Sequence, residues 1–250
     1  MKWLTTLALA LLAITTASAA PTLADMNRLL AQIDDIGNFG EQDFSCIYTI
    51  VTEKPGQNNS VTEAMLFRRD RSDLFLLLIR KPDAQKGQGY LKEKDNTWFY
   101  DPESGKFEHS SLSENVTDSK ARNTDFSQGT LASDYTVSSW SEATLGNIPV
   151  YLLDLKAKTR DVAYDRMKIW VRKDVVVVMK SEEYGFSGNL MRTTGYFNHL
   201  RIGGKFIPSQ ILIVDEVNKG ERTQVTLRNP SVNAIPDYVF TKSYLERVNK

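Results

Sequence analysis

Leu74-Phe75-Leu76-Leu77-Leu78-Ile79 is an unbroken apolar run of strand length, preceded by the polar turn Arg69-Asp70-Arg71-Ser72-Asp73. A sheet with one wet face alternates apolar and polar residues, so a strand that is apolar throughout belongs to a sheet covered on both sides. Val175-Val176-Val177-Val178-Met179 and Ile211-Leu212-Ile213-Val214 repeat the pattern and read as strands of the same kind. Whatever fold the chain adopts must therefore cover two faces of its sheet.

Around these runs, from Phe44 onward, short apolar or alternating segments are separated by turn residues. Lys54 to Asn59, Lys94-Asp95-Asn96, Pro102 to Gly105, Gly146-Asn147, Lys173-Asp174, Gly185 to Gly188, Gly203-Gly204 and Asn218-Lys219-Gly220 punctuate the series. Spaced turns between β-branched and aromatic runs predict consecutive antiparallel hairpins, roughly a dozen strands in all. Two helices flank them. Over residues 22–37, Leu23, Met26, Leu29, Leu30 and Ile33 recur at helical spacing, with Thr22 to cap the start and Gly37 to end it. A short closing helix is expected over 241–248, capped by Thr241. The long interval from Ser111 to Ser133, rich in Ser, Asp and Asn, contains no strand pattern. A connection of that length reads as a lid or binding loop carrying short helical turns. Two helices are few for so many strands. The surplus apolar surface points to the inside of a barrel or the wall of a cavity, with a filled sandwich core as the plainer alternative.

Charge and composition narrow the function. The 250 residues balance 31 basic against 31 acidic side chains, which gives no electrostatic case for nucleic acid. One cysteine rules out an intrachain disulfide and a multi-cysteine metal centre, and two histidines leave little for zinc. Residues 1–19 read as a cleavable signal peptide: Lys2, an apolar run from Leu7 to Ile14, then Ala17-Ser18-Ala19 before the cut. That predicts an exported chain of one domain, residues 20–250. Gly185-Phe186-Ser187-Gly188 lacks the spacing of a nucleophile elbow, and His109 and His199 have no partner nearby in sequence. Asp34-Asp35, Glu182-Glu183 and Asp215-Glu216 are adjacent pairs. On a strand, neighbours point to opposite faces, so the pairs read as solvated rather than as acid–base couples. Arg68-Arg69-Asp70-Arg71 reads as a solvated hairpin tip, with docking of a partner or headgroup as the alternative. Cys46 reads as a buried thiol on the side of Phe44 and Tyr48. No catalytic constellation, cofactor or metal is expected. Met65, Phe67, Leu76, Leu78, Trp98, Tyr100, Ile169, Met179, Met191, Tyr196, Ile211 and Ile213 fall in strands. Flexible thioethers beside rigid aromatics suit a pocket for variable apolar ligands, and equally an ordinary core.

Several strings carry a family resemblance. They are Gly89-Tyr90-Leu91, Trp98-Phe99-Tyr100-Asp101-Pro102, Asp118 to Phe126, Lys168 to Asp174, Leu190-Met191-Arg192-Thr193, Gly203 to Pro208 and Phe240 to Val248. On these the chain resembles the outer-membrane lipoprotein-sorting family, a LolA-like group. The resemblance implies a mainly β (α+β) fold, an unclosed antiparallel half-barrel whose helices lid an apolar cavity. It further implies a monomeric periplasmic carrier for lipoprotein acyl chains or lipid in a Gram-negative-type envelope. An inner-membrane transporter and an outer-membrane acceptor would be its partners; a transporter accessory without an acyl ligand is the alternative. The twelve strand residues above are the candidate cavity wall. Met26, Leu30, Phe126 and Leu131 are the candidate lid residues.

Overall fold

The structure is a computed structural model that describes residues 20–93, 96–160 and 162–248. The signal-peptide expectation and the centre of the turn at 94–95 lie outside these residues. Thirteen strands form one antiparallel sheet. They are β1 (Phe44–Glu53), β2 (Ser60–Arg69), β3 (Leu74–Lys81), β4 (Gly89–Glu93), β5 (Asn96–Asp101), β6 (Lys106–Ser110), β7 (Tyr135–Leu145), β8 (Ile148–Ala157), β9 (Arg166–Arg172), β10 (Val178–Tyr184), β11 (Leu190–Ile202), β12 (Lys205–Asp215) and β13 (Arg222–Ser231). Three helices accompany them: α1 (Leu23–Ile36), α2 (Leu131–Asp134) and α3 (Lys242–Arg247).

The spatial order β6-β5-β4-β3-β2-β1-β13-β12-β11-β10-β9-β8-β7 has a simple logic. The chain enters at the centre, meanders to one edge, crosses to the other edge, and meanders back until β13 pairs with β1. β6 and β7 are not paired with each other, so the sheet stays open. Residues 111–134 are the crossing segment.

Sequence signals set the helices. Thr22 and Asp25 form a reciprocal capping box at the start of α1. Thr241 caps α3 by accepting from the Tyr244 amide at 3.2 Å. The crossing segment has one turn of 3-10 helix at Asn123–Asp125 besides α2. The valine run is the exception. Val175 to Val177 lie in the β9–β10 connection, and β10 starts only at Val178. Arg172 explains the shortening. Its guanidinium grips the Asp174 carboxylate through two bonds of 2.6 Å, while its amide reaches the Val177 carbonyl at 3.0 Å, closing a wide loop.

The double apolarity of β3 has a different cause from the one expected. Phe75, Leu77 and Ile79 belong to the inner core with Phe44, Leu66 and Phe126. Leu76 and Leu78 belong to a second core on the outer face, closed by Ile235, Val239, Phe240 and Leu245 of the C-terminal segment. The outer side of β2–β5 is therefore neither barrel interior nor cavity wall. Each of those four side chains stabilises by about 1.5–3 kcal/mol on burial. Gly89 makes the approach possible, because a Cβ there would lie 2.5 Å from Leu245 Cδ2.

The Arg68-Arg69-Asp70-Arg71 tip is likewise not a solvated turn. Arg68, Arg69 and Asp70 are all buried. Neighbouring strand residues face opposite ways, and each arginine fastens a different cover. On the inner side, Arg68 makes two bonds to Asp70, at 2.9 and 2.7 Å, and reaches the Gly37 carbonyl at the end of α1 at 3.2 Å. On the outer side, Arg69 binds Asp43 through two bonds of 2.9 Å, reaches the Ile235 carbonyl and Asp237, and lies 4.9 Å from the Phe240 ring centre. Burial alone would raise the Asp43 carboxyl. The donors Arg69, the Ile235 amide and Arg71 outweigh it and hold the group at about 2.

Arg69→Ala leaves Asp43 buried without its main partner and is expected to cost about 3–5 kcal/mol in urea unfolding. A loss under about 1 kcal/mol would show that this pair does not hold the C-terminal segment. Because the Asp43 value is depressed on folding, its contribution is complete above about pH 4 and lost as pH falls toward 2. The acid limb of the wild-type stability curve should accordingly flatten in the variant.

Candidate functional site

α1 lies over the inner face of β7–β9, packing Met26, Leu29, Leu30 and Ile33 on Val137, Leu153, Leu155, Ile169 and Val171. The crossing segment lies over the other half and sinks Val116, Ala121 and Phe126 into the inner core. Between these two covers, the inner face of β10 and β11 turns polar at Ser181, Glu183, Arg192 and Thr194. Over this strip sits a cavity of about 520 Å³, reaching from α1 to β12. That size falls within the roughly 300–1,000 Å³ usual for small-ligand sites.

A buried ion triad ties the crossing segment to the polar strip. Arg192 donates from Nε to Glu183 at 2.6 Å and clamps Asp125 through bonds of 2.8 and 2.9 Å. Ser181 Oγ donates to the other Glu183 oxygen at 2.5 Å. Desolvation opposes the Arg192 charge, but Asp125 and Glu183 overcome it and keep the guanidinium protonated well beyond its usual range. The Tyr164 ring centre lies 4.5 Å from the Arg122 guanidinium and 5.7 Å from that of Arg192.

The two covers are also tied to each other. Asp34 of α1 accepts the Leu131 and Ala132 amides at 3.0 and 2.7 Å, capping α2 from outside its own sequence. Burial raises the Asp34 carboxyl against those two bonds. Gly129 permits the contact, since a Cβ there would lie 2.6 Å from Asp34 Oδ1 and 3.3 Å from its Cα.

Of the expected wall residues, Ile169, Tyr196 and Ile211 line the cavity. Ile213 joins the inner core beside it without lining it. Met65, Phe67, Leu76, Leu78, Trp98 and Tyr100 lie on the outer face under the C-terminal segment, so the structure does not bring them to the cavity. Met191 faces away from its neighbour Arg192 by strand alternation, and Met179 occupies a bulge between Val178 and Lys180; neither lines the cavity. Of the expected lid residues, Leu131 lines the cavity. Met26 and Leu30 are buried on the sheet-facing side of α1, and Phe126 packs 4.9 Å from the Tyr48 ring.

Sequence reading missed Tyr48, Tyr135 and Tyr164 in the wall, and the triad. One signal was available. Glu182 and Glu183 are adjacent on a strand, so one had to face inward; Glu182 pairs outside with Lys180 at 2.6 Å, and Glu183 is buried. Asp34 and Asp215 depart from the solvated reading too, the first as a cap and the second as the 2.7 Å partner of Lys120. His199 lines the cavity, where desolvation lowers its pKa, whereas His109 stacks on Trp98 at the outer face. Among the described residues there is no cluster suited to a metal ion and no helix long and apolar enough to cross a membrane.

An open antiparallel sheet with a lid layer over a partly open cavity defines a recognisable class of protein. The fold is shared with solved structures, among them these three. A LolA superfamily protein from Nitrosomonas europaea is 24% identical over 87% of this chain and 97% of its own, with a TM-score of 0.75. A DUF1329 family protein from Desulfovibrio piger is 19% identical over 89% and 98%, with a TM-score of 0.78. A domain assigned as an outer membrane lipoprotein-sorting protein from Vibrio parahaemolyticus is 18% identical over 87% and 97%, with a TM-score of 0.77. A family profile described as "-like: Uncharacterized protein" matches residues 71–247, and the chain belongs to that family, with the LolA-like fold of these structures. No curated protein matches the sequence.

Two variants test the lid layer. Arg192→Ala strands Glu183 and Asp125 and should cost about 3–5 kcal/mol, read by denaturant unfolding. Gly129→Ala should cost about 1–3 kcal/mol by forcing α1 from α2, with faster amide exchange concentrated in residues 127–134. Uniform protection in that variant would show that the two covers are not coupled there.

Proposed function

We propose that residues 20–250 act as one periplasmic carrier domain, without enzymatic activity, that encloses acyl chains of lipoproteins or lipids and moves them toward the outer membrane. The observation that carries this reading is the cavity itself. It lies where neither α1 nor the crossing segment fills the inner face, and its wall includes Ile33, Leu131, Ile169, Val178, Ile207 and Ile211. An acyl chain left in water costs roughly 0.8 kcal/mol per CH₂, so transit through an aqueous space calls for an enclosed apolar site. The relatives in the lipoprotein-sorting and LolA groups support the same reading. Of the side chains weighed for catalysis, Ser187 and His109 lie far apart in the sheet. Ser187 is at the tip of the β10–β11 hairpin and His109 is in edge strand β6.

Mass spectrometry of protein purified from envelope extracts should find co-purifying acyl lipid. Delipidated protein should bind the apolar dye N-phenyl-1-naphthylamine saturably and release it to acylated competitors. Val178→Trp, which fills the cavity, should weaken binding at least about tenfold, equivalent to 1.4 kcal/mol. Absence of saturable binding by any acylated ligand would overturn the carrier reading in favour of an interaction role beside a transporter.

A further inference from the structure

The cavity carries more charge than an acyl slot requires, and the charge is unbalanced. Four carboxylates line it, Asp34, Asp125, Asp134 and Glu183, against two guanidiniums, Arg68 and Arg192. Both guanidiniums are committed. Arg192 is held by Glu183 and Asp125 at 2.6–2.9 Å, and Arg68 is held by Asp70 at 2.7 and 2.9 Å. The other two carboxylates have only neutral partners. Asp34 accepts the Leu131 and Ala132 amides, and Asp134 accepts Thr130 Oγ1 at 2.7 Å and Ser133 Oγ at 2.8 Å. Lys158, next to this corner, donates to the Ala132 carbonyl at 2.6 Å instead of to either carboxylate.

We infer that this site selects acyl ligands with uncharged ester- or amide-linked heads and rejects those ending in a carboxylate or phosphate. The inference rests on the carrier reading and narrows it. An anionic head would lose its water while facing two more carboxylates than guanidiniums, and each arginine is already paired with a carboxylate. A neutral head meets no such opposition and can bond to the wall hydroxyls. The Tyr164 and Tyr196 phenols, which desolvation keeps protonated, stand at the same wall as neutral donors. Burial raises the Asp34 carboxyl against its two amide bonds, and the neighbouring Asp134 adds to the rise.

Monolaurin and laurate share a chain and differ in head charge, so they separate the two cases. Each is titrated below its micelle concentration against the delipidated full chain loaded with N-phenyl-1-naphthylamine, at pH 8 and low salt. Laurate is expected to displace the dye at least about tenfold more weakly than monolaurin. Asp134→Asn, whose carbonyl can still accept a hydroxyl donor, should shrink that ratio severalfold. Equal or tighter binding of laurate would overturn head selection while leaving the carrier reading intact. A ratio unchanged by Asp134→Asn would overturn its assignment to the carboxylate excess. If neither compound displaces the dye and no lipid binds, the carrier reading fails and this inference with it.

Discussion

Thirteen strands built as two meanders from a common centre leave the chain at one free edge when it must begin again at the other. The crossing segment, residues 111–134, therefore has to traverse the inner face, and the rest of the structure answers that constraint. A segment laid over a sheet cannot leave its own backbone groups unpaired. It closes small internal loops, with Val116 donating to Ala121 at 2.8 Å, Asn123 to Glu114 at 3.1 Å and Thr124 to Leu112 at 2.8 Å. It is then pinned by the Arg192 clamp on Asp125. The cavity is what remains between this segment and α1, which covers the far half of the sheet.

The sheet is covered unevenly on its two sides, and ion pairs mark the places where the covers are fastened. Arg68 ties the end of α1 to the inner face; Arg69, one residue on, ties the C-terminal segment to the outer face. Buried ion pairs add little net stability over apolar replacements, but breaking one is costly. Their role here is to fix where each cover sits. The crossing segment is tied to the sheet by Arg192 on Asp125 and by Lys120 on Asp215 and Glu221, and it meets α1 through Asp34 and the turn after α1 through the Asn38–Gln128 bond. The wall beneath the lid mixes apolar residues such as Ile169 and Ile211 with the buried charges of Glu183 and Arg192.

Local signals in the sequence were sufficient for the elements. The Thr22 capping box, Gly37, Thr241, the hairpin turns and the apolar run of β12 each act within a few residues, and the helices and most strands follow from them. The valine run was misleading because apolar content alone does not distinguish a strand from a loop that buries Val177. The site was less legible. Three expected wall residues reached the cavity because they share the inner face of β9, β11 and β12, while six others faced outward under a segment far away in sequence.

By itself, the sequence determined a sheet apolar on both faces, a helix at each end of it and a long connection with no strand pattern, because periodicity and turn chemistry are local. Only the tertiary structure decided which face each apolar residue served. That depends on what covers the face, and the covers at Ile235 to Leu245, at α1 and at residues 111–134 arrive from distant parts of the chain. It also decided the charge of the cavity. Asp34, Asp125, Asp134, Glu183 and Arg192 lie on four separate elements or connections, and Coulomb interactions depend on their distances in space, which no spacing along the chain records.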